Sequence, residues 1–291
     1  MLAVHATMTR DGNAAGKAGT VTSGQEPVDK GVPFDTSRAH MARVYDFWLG
    51  GKDNFAADRA VGERVAAAYP DVLTAVQAQR AFLARAVHFL VTEAGVSQFL
   101  DIGTGLPSAN NTHQVAQAVA PQSRVVYVDN DPIVLLHAKA LLTSSPEGAT
   151  AYIDADLRAT DTIVERAAGI LDFGQPVAVM LLGILQGIPD QDEPGAIIAR
   201  LVDAVVPGSY LALSQIASDV AADEVAEGVQ RYNEEAAVSV AARTHADVCR
   251  FFAGLELVEP GVVQVHRWRP GAQDLGSDRQ LAIYAGVGRK P

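Results

Sequence analysis

The stretch that decides the fold is FLDIGTGLP, residues 99–107. It is a short apolar run that ends in an acid and two closely spaced glycines, a pattern typical of a buried parallel strand stopping at a tight turn before a helix. Glycine lets the backbone approach a ligand closely, and a helix start offers free N–H groups. A second strand-like run, RVVYVD at residues 124–129, ends in another acid after the interval expected of one βαβ unit. The spacing predicts a ligand site at the ends of two neighbouring parallel strands.

The residues at these two strand ends indicate the kind of ligand. An acid at position 129 can take both hydroxyls of a ribose, which favours a nucleoside-containing ligand. A dinucleotide fingerprint would need a third glycine after Gly103 and Gly105, but Ser108 stands there. Asp101 lies where a phosphate would approach, and a carboxylate repels phosphate but attracts an ammonium group. The pattern therefore matches S-adenosylmethionine, which has an amino-acid end, a sulfonium and no phosphate, better than a nicotinamide dinucleotide.

Motifs along most of the chain resemble known methyltransferases. D-x-G-x-G at 101–105, Asp129 after the second strand and ADL at 155–157 resemble class I S-adenosylmethionine-dependent methyltransferases. More narrowly, MARVYD at 41–46 followed by LGGKDNF at 49–55 resembles an actinobacterial, DUF574-like group of methyltransferases. The resemblance extends from about Ser37 to the C-terminus and implies the fold and the cofactor. Further matches are QRAFL at 79–83, RFFAGL at 250–255 and WRP at 268–270.

Alternating strand and helix patterns predict an α/β fold with a doubly wound, Rossmann-like, seven-stranded and mostly parallel sheet that carries an antiparallel edge strand. We divide the chain into a flexible tail over 1–36, a helical cap over 37–95 and an S-adenosylmethionine-binding domain over 96–291. The tail is rich in Gly, Ala, Thr and Ser and has few large apolar side chains to bury. The remaining strands are predicted at 149–153, 176–185, 209–216, 255–265 and 281–287, and helices at 56–68, 70–95 and 221–242.

Composition limits the possible partners. A net charge of −11 argues against nucleic acid, because backbone binding needs clustered Lys and Arg, and makes a small-molecule substrate more plausible. Cys249 is the single cysteine, which excludes an internal disulfide, and its apolar helical surroundings predict a buried, inert thiol. The seven histidines are scattered without metal-ligand spacing, so no metal is expected. No apolar run approaches a membrane span and no signal peptide is visible, which predicts a cytoplasmic protein without membrane contact.

Arg80 interrupts an otherwise apolar stripe on the helix predicted over 70–95. An arginine on a buried face needs an anion. It could form a structural ion pair with an acid, extend outward to solvent, or bind the carboxylate end of the cofactor. The family resemblance favours the cofactor role.

The strand-end residues supply the other predicted cofactor contacts. An ordinary strand–turn–helix corner would also explain Asp101, Gly103 and Gly105. Ligand binding is favoured because Asp129 follows at the interval expected for the end of the next parallel strand. Asp131 is the better helix cap, which leaves Asp129 for a ribose. We also assign the neighbouring Asn130 to the cofactor site. In the family pattern the acid after the third strand, here Asp156 with Leu157 beside it, holds the exocyclic amine of adenine. Asp154 is a competing candidate for this role. Alternatively, Asp156 is a solvated loop residue or a helix cap.

Two further regions are predicted to face the ligands. Tyr45 and Asn54 belong to a polar cluster around Gly50 and Gly51, interpreted either as helix caps or as a cofactor-facing loop. Gln186 follows the fourth strand, where many members of the resembled family carry histidine. It could orient a substrate by hydrogen bonds but cannot act as a base at neutral pH, and the alternative is a polar residue that only closes the strand.

The resulting hypothesis is a methyltransferase that uses S-adenosylmethionine and acts on a small-molecule acceptor. A non-catalytic S-adenosylmethionine sensor or interaction protein is an alternative, since no clear base lies near Gln186. An NAD(P)-dependent oxidoreductase is a further alternative, disfavoured by Ser108 and Asp101.

Overall fold

We describe a computed structural model of the chain over residues 35–141, 144–271 and 279–291. The predicted tail over 1–36 lies outside the described residues except for its last two positions. Within the described ranges, no helix combines the length and the apolar character needed to cross a membrane.

Three helices precede the sheet, as predicted. They are α1 (Met41–Trp48), α2 (Ala56–Ala68) and α3 (Val72–Thr92). Gly50 follows α1 with φ +78°, a left-handed conformation that favours glycine and stops the helix. Asp58 links the first two helices, because its carboxylate accepts from the backbone N–H of His40 at 2.9 Å and from Arg43 Nε at 3.2 Å.

The described strands are β1 (Gln98–Ile102), β2 (Arg124–Asp129), β3 (Ala149–Asp154), β4 (Ala178–Leu182), β5 (Tyr210–Ile216), β6 (Glu256–Leu257), β7 (Val263–Gln264) and β8 (Ile283–Arg289). They form one mixed sheet with the order β3-β2-β1-β4-β5-β8-β6, and β7 also pairs with β8. Strands β1 to β5 are parallel, and β8 is antiparallel to β5. The prediction of a doubly wound, mostly parallel sheet is confirmed, with eight described strands rather than seven. The antiparallel strand β8 does not form the edge, because β6 pairs with its outer side.

Six further α-helices are described after the first three. They are α4 (Thr112–Val119), α5 (Pro132–Leu141), α6 (Thr160–Ala167), α7 (Pro194–Asp203), α8 (Ala222–Asn233) and α9 (His245–Arg250).

The helix predicted over 221–242 is wrong in its second half, since α8 ends at Asn233. The Asn233 side chain donates to the carbonyl of Val240 at 2.9 Å and accepts from its N–H at 2.7 Å, which holds the following loop. The loop pairs with other parts of the chain through the bridge between Ala39 and Ala236. These tertiary contacts replace the hydrogen bonds that a continued helix would have made.

The fourth strand is shorter than the predicted 176–185. It stops at Leu182 because Gly183 adopts φ +75° and the chain turns into a short 3-10 helix over Leu185–Gly187. The β-rich run predicted at 255–265 contains only the two-residue strands β6 and β7.

Cys249 corrects a further expectation, because its side chain is partly exposed rather than buried. Its Sγ lies 3.7 Å from His245 Nδ1 on the same helix. Partial burial still raises the pKa of the thiol, which keeps it protonated and poorly reactive.

Candidate functional site

A large cavity, here called the strand-end cavity, opens at the carboxyl ends of β1, β2 and β4. It encloses about 1160 Å³ of empty space including its mouth. The strand order reverses between β1 and β4, and open α/β sheets bind ligands at this switch point. The cavity brings together Tyr45, Arg80, Asp101, Gly103, Gly105, Asp129, Asn130, Asp156, Leu157 and Gln186.

Asp101 is the most unusual of these residues, since its carboxylate is buried inside the fold. The residue is 5% exposed and accepts a 2.6 Å hydrogen bond from Thr112 Oγ1 at the start of α4. Burial raises the pKa of Asp101 to about 6, while the Thr112 hydrogen bond and the positive charge of Arg80 oppose that rise. The site therefore holds a carboxylate that a bound cation would stabilise.

The glycine turn after β1 needs glycine at two positions for different reasons. Gly103 has φ +77°, and a Cβ there would come within 2.6 Å of the Ile184 side chain. Gly105 has φ +65° but open space around it, with the nearest atom, Ala42 Cβ, at 4.0 Å. The turn thus lets the backbone approach the cavity, and the Gly105 N–H donates to Asp129 Oδ2 at 2.9 Å.

Asp129 lies at the end of β2 and is held by two backbone donors. Besides Gly105, the N–H of Asp131 donates to its Oδ1 at 2.9 Å. As predicted, Asp131 itself caps the next helix, because its Oδ1 accepts from the N–H of Ile133 at 2.9 Å. Burial raises the pKa of Asp129. Each carboxylate oxygen has a second lone pair, so Asp129 keeps acceptor capacity for a ligand hydroxyl.

Asp156 follows β3 and belongs to a polar chain along the rim of the cavity. Its Oδ2 accepts from Asn130 Nδ2 at 3.2 Å, and Arg158 forms an ion pair with it at 3.0 Å. Arg158 also reaches Asp192, with Nε 2.7 Å from Oδ2. Leu157 is buried beside this chain and supplies an apolar wall. Arg158 lines the cavity but was missed from sequence, because an exposed arginine in a loop carries no distinguishing pattern.

Arg80 reaches the cavity from α3. One guanidinium nitrogen donates to the backbone carbonyls of Ala109 at 2.9 Å and Asn110 at 3.1 Å. Among the described residues, its hydrogen bonds thus go to carbonyl oxygens rather than to a carboxylate. These bonds hold the guanidinium at the cavity with its charge uncompensated by direct contact.

The two residues predicted from the polar cluster near Gly50 separate in the structure. Tyr45 lines the cavity, and its hydroxyl donates to the Val76 carbonyl at 3.1 Å. Asn54 does not line the cavity in the described part of the chain. Its amide donates to Asp46 Oδ2 at 2.8 Å and to the Gly51 carbonyl at 3.0 Å. Cofactor contact by Asn54 stays a prediction without support from its position.

Gln186 stands in the short 3-10 helix after β4. Its Oε1 is buried, and among the described residues it has no hydrogen-bond partner. Gln79 of α3 lies close by, since a Cβ on Gly183 would be 2.5 Å from Gln79 Nε2 and 3.5 Å from Gln186 Nε2. Gln79 was missed as a site residue, because a glutamine in a mostly apolar helix is usually a boundary position.

A second cavity, here called the apolar cavity, adjoins the first and encloses about 730 Å³ including its mouth. Met41, Tyr45, Gln79 and Gln186 line both cavities and form the wall they share.

Comparison with known proteins places this geometry in a family. A sequence profile described as S-adenosyl methyltransferase matches residues 28–291. The crystal structure of a DUF574 family protein from Streptomyces avermitilis shares 44% sequence identity, with a TM-score of 0.86 over 88% of this chain and 99% of that chain. A candidate methyltransferase from Thermobifida fusca shares 40% identity, with a TM-score of 0.80 over 88% and 96% of the two chains. Curated proteins gave no match to this chain.

Proposed function

The chain belongs to the S-adenosyl methyltransferase family, and we propose that it binds S-adenosylmethionine in the strand-end cavity and methylates a small-molecule acceptor. One observation carries the assignment of the site: Asp101, Asp129 and Asp156, from the ends of three neighbouring parallel strands, line one cavity. The narrower statement, that the acceptor is a small molecule, is supported by the net charge of −11, which disfavours a nucleic-acid backbone.

The amino-acid end of the cofactor fits the pair formed by Asp101 and Arg80. The buried carboxylate of Asp101 would accept from the ammonium group, which removes the cost of an unpaired buried charge. The guanidinium of Arg80, held by the carbonyls of Ala109 and Asn110, would bind the cofactor carboxylate. A pyrophosphate would meet the negative charge of Asp101 instead.

The nucleoside end fits the acids after β2 and β3. Asp129 would accept from the ribose hydroxyls, because its two backbone donors fix its position and leave lone pairs free. Asp156 would accept from the exocyclic amine of adenine in place of one of its bonds from the Arg158 guanidinium, with Leu157 against the ring and Asn130 orienting the carboxylate. Tyr45, whose hydroxyl is already bonded to Val76, would contribute an aromatic part of the wall.

S-adenosylmethionine, when bound, supplies a methyl group already activated by a positively charged sulfur. The protein then contributes alignment and exclusion of water, which together lower a barrier by about 7–11 kcal/mol when orientation is good. Gln186 would orient the acceptor through hydrogen bonds rather than remove its proton.

Calorimetric titration of the purified protein with S-adenosylmethionine and, separately, with NADH tests the proposal. We expect binding of the first only. Asp129→Ala should weaken it at least roughly 100-fold, since two hydrogen bonds to a charged group together contribute about 3 kcal/mol or more. Gln186→Ala should change the affinity less than about threefold.

Binding of NADH alone, or equal losses from Asp129→Ala and Gln186→Ala, would overturn the assignment of the site. The melting temperature of each variant is the control for folding, because the Asp129 carboxylate also accepts from the backbone N–H groups of Gly105 and Asp131.

A further inference from the structure

The apolar cavity is assembled from elements that lie far apart in the sequence. Its walls come from helices α1, α2, α3 and α8, the strands β5 and β8, and the 3-10 helix that carries Gln186. Its aromatic lining consists of Trp48 and the tyrosines at 45, 69 and 232, and aliphatic residues such as Val76 and Val229 supply most of the rest.

The lining of this cavity contains no Asp, Glu, Lys, Arg or His among the described residues. The neighbouring strand-end cavity, in contrast, is lined by Arg80, Asp101, Asp129, Asp156 and Arg158. Moving an ion from water into uncharged apolar surroundings is strongly unfavourable. An occupant of the apolar cavity must therefore be neutral, and aromatic walls favour a flat ring.

Two polar atoms in the cavity lining have no hydrogen-bond partner among the described residues. They are the hydroxyl of Tyr232, a residue that is 4% exposed, and Oε1 of Gln186. Buried polar atoms are nearly always paired, so an unpaired one on a residue that lines a cavity points to a ligand. Gln186 Oε1 can only accept, which requires an N–H or O–H on that ligand.

The position of Gln186 connects this chemistry to the proposed reaction. Gln186, Gln79, Tyr45 and Met41 line both cavities, so a molecule in the apolar cavity presents its polar end toward the strand-end cavity at this wall. The Tyr45 hydroxyl is already bonded to Val76, which leaves Gln79 and Gln186 as the polar side chains of this wall. Of these two, Gln186 has the buried acceptor without a hydrogen-bond partner among the described residues.

Building on the proposed function, we propose that the apolar cavity binds the methyl acceptor, and that this acceptor is a neutral, flat, largely apolar molecule whose N–H or O–H donates to Gln186 Oε1. Transfer forms a bond from that nitrogen or oxygen to the methyl carbon and breaks the carbon–sulfur bond, whose electron pair stays on sulfur. The acceptor's proton leaves to water.

Three small probes test the proposal in the full-length protein saturated with S-adenosylhomocysteine, which has no methyl group to transfer. They are indole, its donor-free counterpart benzofuran, and the anion indole-5-carboxylate. By calorimetry, indole should bind about fivefold or more tighter than benzofuran, because only indole can donate to Gln186. The anion should bind at least about tenfold more weakly than indole.

Variants locate the probe. Val229→Phe fills the apolar cavity and should abolish indole binding, whereas Val119→Phe, at an exposed position on α4, should leave it unchanged. Gln186→Leu keeps the side-chain bulk but removes the acceptor, so indole and benzofuran should then bind equally. Because Val229→Phe could disturb folding, the Gln186→Leu comparison and the melting temperature of each variant provide an independent check.

Three outcomes would overturn this inference. They are equal affinity for indole and benzofuran in the unmodified protein, tighter binding of the anion than of indole, and indole binding that survives Val229→Phe. These outcomes differ from failure of the proposed function, in which S-adenosylhomocysteine itself would not bind.

Discussion

The two adjoining cavities differ in charge and in how the chain builds them. The strand-end cavity collects three acids and two arginines, and the three acids lie at or just after the carboxyl ends of strands. The apolar cavity has no ionisable acid or base in its described lining except tyrosines, and its residues come from seven separate helices and strands. Burial raises the pKa values of Tyr45, Tyr69 and Tyr232, so these phenols stay neutral. Charge therefore favours the proposed zwitterionic ligand in one cavity and the proposed neutral ligand in the other.

The sharpest way to break this comparison is to remove the buried charge of Asp101. Asp101→Asn should lower the affinity for S-adenosylmethionine roughly 10- to 100-fold, since a hydrogen bond to a charged group contributes about 1.5–3 kcal/mol. Methylthioadenosine, which lacks the amino-acid end, should bind both proteins within about twofold. Calorimetry with the two ligands checks this, and an equal loss for both would show that the substitution only disturbs the fold.

Removing the positive charge of Arg80 should lower the affinity for S-adenosylmethionine less than removing the negative charge of Asp101. Arg80→Met should weaken S-adenosylmethionine about tenfold, because the cofactor carboxylate loses its partner while the aliphatic stem remains. Methylthioadenosine again serves as the control in the same titration. Arg85→Met is a matched variant on the same helix whose guanidinium bonds to Trp268 and Val265, away from the cavity, and it should leave both affinities unchanged.

The pH dependence of binding gives a third comparison. Burial raises the pKa of Asp101 to about 6 in the free protein, and a bound ammonium would lower it. Affinity should therefore be full above pH 6 and fall by up to about tenfold per unit as pH decreases below it. The folding stability of the free protein should change in the opposite direction from the affinity. The ionised Asp101 carboxylate destabilises the fold because it is buried, so its protonation as the pH falls through 6 removes part of that destabilisation.

Calorimetry between pH 5 and pH 8 measures this dependence. Asp101→Asn should show a nearly flat profile over the same range, whereas a slope that persists in this variant would assign the titration to another group.

The smallest effects are expected from glycine-to-alanine substitutions, one in the lining of each cavity. They should change the free energy of unfolding in opposite directions. Gly228→Ala, inside α8, brings no atom closer than 3.6 Å and should raise the free energy of unfolding by about 1 kcal/mol through helix propensity. Gly105→Ala should lower it by about 1–2 kcal/mol, because its φ of +65° disfavours a side chain despite the open space. Urea unfolding of both variants measures the difference, and a stabilised Gly105→Ala would contradict the strained turn.

Several elements were predictable because local patterns determine them. Helix α2 and strand β2 were predicted with the observed bounds, since amphipathic spacing and short apolar runs ending in acids are local signals. The end of α8 at Asn233 was not predicted, because the sequence pattern of the residues after it favours a helix. The pairing of Ala236 with Ala39 and the hydrogen bonds between Asn233 and Val240 hold these residues in a loop instead.

The same division holds for the two cavities. Short motifs at the ends of consecutive strands determined the residues around the strand-end cavity, because parallel strands bring their carboxyl ends to one edge of the sheet. Only the tertiary structure separated Tyr45, which lines it, from Asn54, which does not. The apolar cavity had no signature in the sequence at all, because valine, isoleucine and tyrosine look the same whether they fill a core or line a void. The packing of these side chains leaves a cavity next to Gln186 and Tyr232. The position of that cavity depends on how helices that are distant in sequence pack against each other.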